Sequence, residues 1–159
     1  MRRHDREITE ENEILSIMEK CDACRLAFND DGYPYVFVVN FGIGTKDGRT
    51  TLYFHSALEG KKVEVMQKDN RATFEMDHGH KLEYFADKGY CTMSYESVIG
   101  RGRVRIIEDA AEKQEALELL MAHYHDGERA YFNPAAIPRT LVYALSVEQM
   151  TGKRKLPKG

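Results

Sequence analysis

No apolar run among the 159 residues approaches the length of a membrane span. The opening residues, Met1-Arg2-Arg3-His4-Asp5-Arg6, lead into no signal-peptide apolar core, so a cytoplasmic protein is expected. Cysteine is scarce: three residues, an odd number, argue against a disulfide framework and fit a reducing compartment. Net charge is small, −3, and gives no reason to expect bulk nucleic-acid binding. There is no Gly-x-Ser-x-Gly elbow, no Walker loop and no His-Glu-x-x-His, which argues against the common hydrolase readings. Repeats and low-complexity segments are also missing. What remains is 42% hydrophobic and 31% charged, an ordinary globular composition with enough chain for one domain, spanning 1–159.

The chain opens with a helix expected over 9–20, with Thr9 as cap and Ile14, Leu15, Ile17 and Met18 as its apolar side. A strand through Arg25-Leu26-Ala27-Phe28 then meets Asn29-Asp30-Asp31-Gly32, a strong hairpin signal. The second strand, Pro34 to Phe41, is apolar nearly throughout instead of alternating. In an antiparallel sheet that implies a cover on its second face: a helix, a partner subunit or a flat apolar ligand.

The next strand carries the most suggestive stretch, Tyr53-Phe54-His55-Ser56-Ala57-Leu58-Glu59-Gly60-Lys61-Lys62. Asp47-Gly48 supplies a hairpin turn before it, and Ser56 with Glu59 reads as a capping box, so a helix is expected to start at Ser56 and run to about Lys68. A helix N-terminus offers unpaired N–H groups and partial positive charge; Lys61 and Lys62 add full charges, and Gly60 permits close approach. Together they suit a phosphate or carboxylate, against the plainer reading of a solvated helix start.

Asn70 to Met76 returns as a strand, and 77–88 reads as a polar loop. The longest strand signal is 90–107. Its apolar residues lie mostly at odd positions up to Ile99 and at even ones (Val104, Ile106) beyond it, which predicts a bend or extra residue near Gly100-Arg101-Gly102. Arg101, Arg103 and Arg105 form a stripe read as solvated edge protection. Asp109 with Glu112 caps a helix bearing Leu117, Leu120, Met121 and Tyr124, with Gly127 as its stop. A last strand, Thr140 to Val147, precedes a short basic tail at about 151–159. The sum is mainly β with flanking helices: about six mostly antiparallel strands, closed or split into a small barrel.

Cys21-x-x-Cys24 could be half a zinc site or a redox pair, but a structural site wants a second pair of matching spacing. His78-Gly79-His80 and His123-Tyr124-His125 make no standard finger, and incidental cysteines with solvated histidines are the simpler reading.

The motifs occur in an order that resembles a known family: Pro-Tyr-Val-x-x-x-Asn-Phe, Leu-Tyr-Phe-His-Ser-Ala-x-x-Gly-Lys-Lys, Asn-x-Arg-Ala-x-Phe, Tyr-x-Ser-Val-x-Gly-x-Gly-x-Val and a final Thr-Gly-Lys. Over about residues 10 to 153 the chain resembles the pyridoxamine 5′-phosphate oxidase-like, FMN-binding split-barrel superfamily, and within it the nitroimidazole-resistance branch. The resemblance implies a six-stranded antiparallel split β-barrel, and a homodimer with FMN in clefts at the subunit interface. It implies that Lys61 and Lys62 hold the FMN phosphate, that His55 and Ser56 stand beside the cofactor, and that Val38, Val39, Asn40 and Phe41 lie along the isoalloxazine ring. Ser97 matches a polar position facing the flavin, and Lys153 matches the tail motif. His55 is the candidate catalytic residue, as a hydrogen-bond donor to flavin or substrate. Relative to true pyridoxamine phosphate oxidases, Asn40 stands near where a basic residue is expected. The C-terminal segment also lacks their arginine-containing substrate-phosphate signature, which argues against vitamin B6 oxidation. Two functions follow: an FMN-dependent oxidoreductase reducing a small, for instance nitroaromatic, electrophile, or a flavin- or haem-binding protein without turnover.

Overall fold

Among the described residues, one curled antiparallel sheet packs with three α-helices. The computed structural model describes residues 3–125, 127 and 130–157. Met1, Arg2 and the last two residues of the expected tail, Lys158 and Gly159, lie outside them. The elements run β1 (Glu7–Ile8), α1 (Glu11–Met18), β2 (Cys24–Asp30), β3 (Tyr33–Val39), β4 (Gly42–Lys46), β5 (Arg49–Ser56), α2 (Lys61–Lys68), β6 (Arg71–Phe85), β7 (Tyr90–Ile107), α3 (Ala110–Tyr124) and β8 (Leu141–Lys155). The strand order is β3-β2-β6-β7-β8-β5-β4, with β1 added to β8, and every pairing is antiparallel. The short link Asn40-Phe41 joins the two ends of that order, so the barrel is closed by chain and not by a ladder. This is the expected split barrel, with eight strands among the described residues. The two that sequence patterning does not reveal, β1 and β4, are short and carry no alternation.

Turn chemistry fixes the hairpins. Asp31 and Gly32 both have positive φ (50° and 89°), the geometry of a two-residue hairpin turn, and the Gly32 N–H donates to Asn29 Oδ1 at 3.0 Å. Asp47 and Gly48 repeat the device between β4 and β5.

The inward face gathers Leu26, Phe28, Leu52, Phe54, Phe74, Met76, Val98, Val104, Tyr143 and Leu145 into one core. Helix α1 plugs it with Ile14, Ile17 and Met18, and α2 adds Val63, Val65 and Met66. Helix α3 lies on the outer face, where Ala116 and Leu117 cover Tyr53, Ile107, Val142 and Ala144. It reaches β4 so closely that a Cβ on Gly42 would stand 2.5 Å from the Leu120 nitrogen.

Several expectations are corrected. Helix α1 begins at Glu11, with Glu10 and not Thr9 at its N-cap and no side-chain cap bond. The stretch 77–88 is mostly strand: β6 continues to Phe85 across a bulge between His78 and Lys81, pairing with β7. No parity flip occurs in β7 at Gly100–Gly102. Ser94, Val98, Gly100, Gly102 and Val104 all face inward, and Ile99 is 54% exposed on the outer side. The extra residue sits on the neighbour instead. Arg101 pairs with Gln149 and Gly102 with Val147, so Glu148 of β8 is the bulge. The glycines serve close packing: a Cβ would lie 2.3 Å from the Phe74 ring at position 100 and 2.0 Å from the Ser146 oxygen at 102. β7 is central, so its arginines protect no edge; Arg105 ties it to Glu112 of α3 and Arg103 meets Glu148 at 3.1 Å. The residues 151–155 of the tail belong to β8. Helix α3 is capped by Asp109 as expected, accepting from the Glu112 N–H at 2.9 Å, but it ends at Tyr124, before Gly127.

Candidate functional site

The turn from β5 into α2 differs from its sequence reading. Ser56 is the last strand residue, paired with Leu141, and its hydroxyl donates to the Ala57 carbonyl at 3.0 Å. The ladder holds Ser56 extended, so the helix cannot begin there and no Ser56–Glu59 capping box forms. Gly60 is the N-cap, at φ 120°, a conformation that side-chain-bearing residues avoid, and nothing lies within 4 Å of where its Cβ would be. The Val63 N–H bonds back to the Gly60 carbonyl at 2.9 Å. The amides of Lys61 and Lys62, being first in the helix, have no carbonyl within it to bond.

Both lysine heads reach the β2–β3 hairpin. Lys61 Nζ is 2.9 Å from an oxygen of Asp30, at the end of β2, and that hydrogen-bonded carboxylate raises its pKa. Lys62 Nζ lies 5.3 Å from the centroid of the Phe37 ring, a cation–π contact, and Phe37 stacks on Phe28 at 5.8 Å. His55 shares the outer side of β5 with Tyr53. Partial burial, and then the charge of Lys62, push its pKa below 6.5, so the imidazole is neutral at pH 7.

Strand β3 is an edge. Val36 and Val38 are 55% and 62% exposed on its outer side, while Val39 is buried and Phe41 is fully in the core. The second apolar face anticipated from sequence is therefore bare in a single chain. The backbone adds to this. Asp30 and Tyr33 close a two-residue turn and form a hydrogen-bonded pair; alternation then turns the main-chain groups of Pro34, Val36 and Val38 away from β2. Because β3 ends the strand order, those groups look onto an open edge. Proline, lacking an N–H, sits where none is needed. Asn40 is exposed just beyond.

Ser97 and Lys153 form a second group. They face each other across β7 and β8, and Lys153 Nζ lies 5.5 Å from the Tyr95 ring. His55 pairs with Val142, far up the same strand β8. The run from Val142 to Lys153 measures roughly 35 Å at strand rise. One chain thus separates His55 and Ser56 from Ser97 and Lys153 along β8, while Lys62 over Phe37 brings the start of α2 against β3.

Sequence reading missed Asp30, Phe37, His123 and Tyr124 as neighbours of this region. Asp30 reads only as turn chemistry, and the others as core or helix-end residues. His123 is not solvated: its Nε2 lies 2.7 Å from the Cys21 carbonyl. His80 meets Asp77 at 2.9 Å, and His78 lies 3.2 Å from Glu96. Cys21 and Cys24 are buried free thiols; burial pushes Cys21 to about 12 and Cys24 well above its ordinary value, so both stay protonated and make poor metal ligands or nucleophiles. A groove of about 480 Å³ opens on the outer face between Ala27, Pro34, Arg71, Thr73 and Arg101, away from the His55–Lys62 turn.

Known proteins are similar to this arrangement. A family profile described as pyridoxamine 5′-phosphate oxidase matches residues 10–154. A solved structure of a candidate 5-nitroimidazole antibiotic resistance protein from Bacteroides thetaiotaomicron is 39% identical, over 92% of this chain and 85% of that one, with a TM-score of 0.79. The flavocytochrome Anf3 from Azotobacter vinelandii is 19% identical over 99% of this chain and 72% of that one, with a TM-score of 0.80. The FAD and heme binding protein from Mycobacterium smegmatis is 17% identical over 97% and 76%, also at 0.80. These last two share the fold. No curated protein matches the chain. With nearly the whole chain matched by the profile and the split barrel observed, the chain belongs to the pyridoxamine 5′-phosphate oxidase family.

Proposed function

We propose that the chain is an FMN-binding oxidoreductase, working as a homodimer with cofactor at the subunit interface and reducing a small electrophile of the nitroaromatic kind. The observation that carries this reading is the glycine-opened start of α2, whose first two residues are Lys61 and Lys62. A flavin phosphate fits that donor set: it would take the place of the Asp30 carboxylate on Lys61 and add charge-assisted bonds from the helix amides. The open edge of β3 fits a planar ring with polar margins, since Val38 offers both an apolar side chain and unpaired backbone groups there. In this reading Val39, Asn40 and Phe41 carry that edge onward, with His55 and Ser56 beside the cofactor. The names of the relatives, which include nitroimidazole resistance and flavin binding, point the same way.

The roles follow from chemistry. Lys61 and Lys62 hold the phosphate. The Val38–Phe41 backbone orients the ring, and the neutral His55 donates or accepts one hydrogen bond beside it. Ser97 on β7 and Lys153 on β8 lie well along the sheet from His55, and in this reading they serve the site of the partner copy. Bound flavin supplies hydride or single-electron transfer, and the protein tunes it through placement and hydrogen bonds.

The purified protein is expected to be yellow, to bleach with a nicotinamide donor and to recover colour with a nitroaromatic acceptor. A yellow protein that no donor reduces would instead favour a flavin carrier without turnover. Lys61→Ala with Lys62→Ala should lower FMN affinity at least about a hundredfold, since each charge-assisted contact contributes roughly 1.5–3 kcal/mol. Unchanged flavin occupancy in that double variant would put the phosphate elsewhere.

A further inference from the structure

Two neighbouring side chains at the end of α3 hold the link between β3 and β4. The Tyr124 hydroxyl accepts from the Phe41 N–H at 3.1 Å and donates to the Asp22 carbonyl at 3.0 Å. His123 Nε2 lies 2.7 Å from the Cys21 carbonyl; a carbonyl can only accept, so this nitrogen carries the proton. The imidazole also packs on the Phe41 ring, at 4.3 Å between centroids. Three segments distant in sequence meet there: the α1–β2 connection, the β3–β4 link and the last turn of α3. Solvated helix-end residues would make none of these contacts.

The clamp has a specific mechanical effect. Val39 is fixed to Cys24 through the β2 ladder, and Phe41 is fixed by Tyr124. Exposed Asn40 is therefore suspended between two anchored neighbours, and the pitch of the edge from Val38 onward is set from both ends. We propose that Tyr124, supported by His123, is a positioning residue for the flavin ring, fixing the Val38–Phe41 backbone against which the ring lies. This inference rests on the flavin reading above and takes it further, naming the side chain that sets the geometry of that site. Removing only the hydroxyl strands the part-buried Phe41 N–H and leaves the exposed Asp22 carbonyl to water, and the strand end relaxes. Hydrogen bonds at the ring tune a flavin's electronics, so a displaced edge changes its spectrum and potential as well as its affinity.

The test is Tyr124→Phe, with exposed Tyr131→Phe as control. In flavin-free protein the Phe41 amide should exchange faster. FMN titrations should show affinity about five- to tenfold weaker, the loss of roughly one hydrogen bond, with a shifted absorption maximum and reduction potential. A lowered Tm with unchanged spectrum, potential and affinity would make Tyr124 merely structural and overturn the proposal. If wild-type protein takes up no FMN, the flavin reading itself falls and this one with it; if it does and Tyr124→Phe behaves identically, only this one falls. Should Tyr124→Phe not fold, His123→Phe against His123→Gln decides. Glutamine keeps a donor for the Cys21 carbonyl and should restore the flavin spectrum, whereas equal behaviour of the two overturns the proposal.

Discussion

His55 shows how burial and a neighbouring charge act together on one side chain. Its pKa is lowered below 6.5 first by burial and then by Lys62. Between the folded value and 6.5 the unfolded chain binds a proton that the folded chain refuses. The stability held in this group is therefore complete above 6.5 and is lost as pH falls through the folded value. Lys62→Ala should raise the His55 titration midpoint toward 6.5 while leaving the burial contribution in place, as followed by NMR of the ring protons. A midpoint that does not move would show that Lys62 does not bear on the imidazole. Phosphate binding at Lys62 should move it in the same direction, by neutralising the charge that depresses it.

At the scale of elements, local signals are obeyed where nothing opposes them and overruled where a ladder competes. Asp109 caps α3 as its sequence says, because no strand claims that residue. Ser56 has the same chemistry but does not cap, because pairing with Leu141 keeps it extended. Asp109→Ala should cost about 1 kcal/mol. That is roughly 2–4 °C in Tm for a chain of this size, measured by thermal unfolding. A loss much larger than this would mean that the cap also supports the Arg105–Glu112 pair that ties α3 to β7. Ser56→Ala, by contrast, has no helix-cap interaction to lose.

The whole molecule is asymmetric in what it covers. Helix α3 shields the outer face over β4, β5, β8 and the end of β7, while the outer face of β3, β2, β6 and the rest of β7 carries exposed Val36, Val38 and Ile99. Proposed as the contact between two copies, that face should not tolerate a buried charge. Ile99→Glu leaves the core untouched, yet an unpaired carboxylate at the contact costs roughly 3 kcal/mol, about a hundredfold in dissociation constant. Light scattering should find the wild-type chain at twice its own mass, and Ile99→Glu shifted toward the monomer with flavin lost. A monomeric wild type that retains flavin would rule out a site shared between copies.

The sequence by itself determined the class of fold, because turn chemistry at Asp31-Gly32 and Asp47-Gly48 and the apolar strands are local facts. It also determined which residues are candidates near α2, since Gly60-Lys61-Lys62 follows a strand after a short turn. It could not say where parity breaks. Glycines at 100 and 102 look like a bend, but they are packing sites, and the bulge falls on Glu148 of the neighbouring strand. Nor could it tell that 77–85 is strand, because a polar two-stranded extension is held by its ladder and not by burial. Only the tertiary structure decided that His123 and Tyr124 grip the β3–β4 link, and that Ser97 and Lys153 stand apart from His55. Those contacts join residues far apart along the chain, and closure of the barrel is what brings them together or keeps them apart.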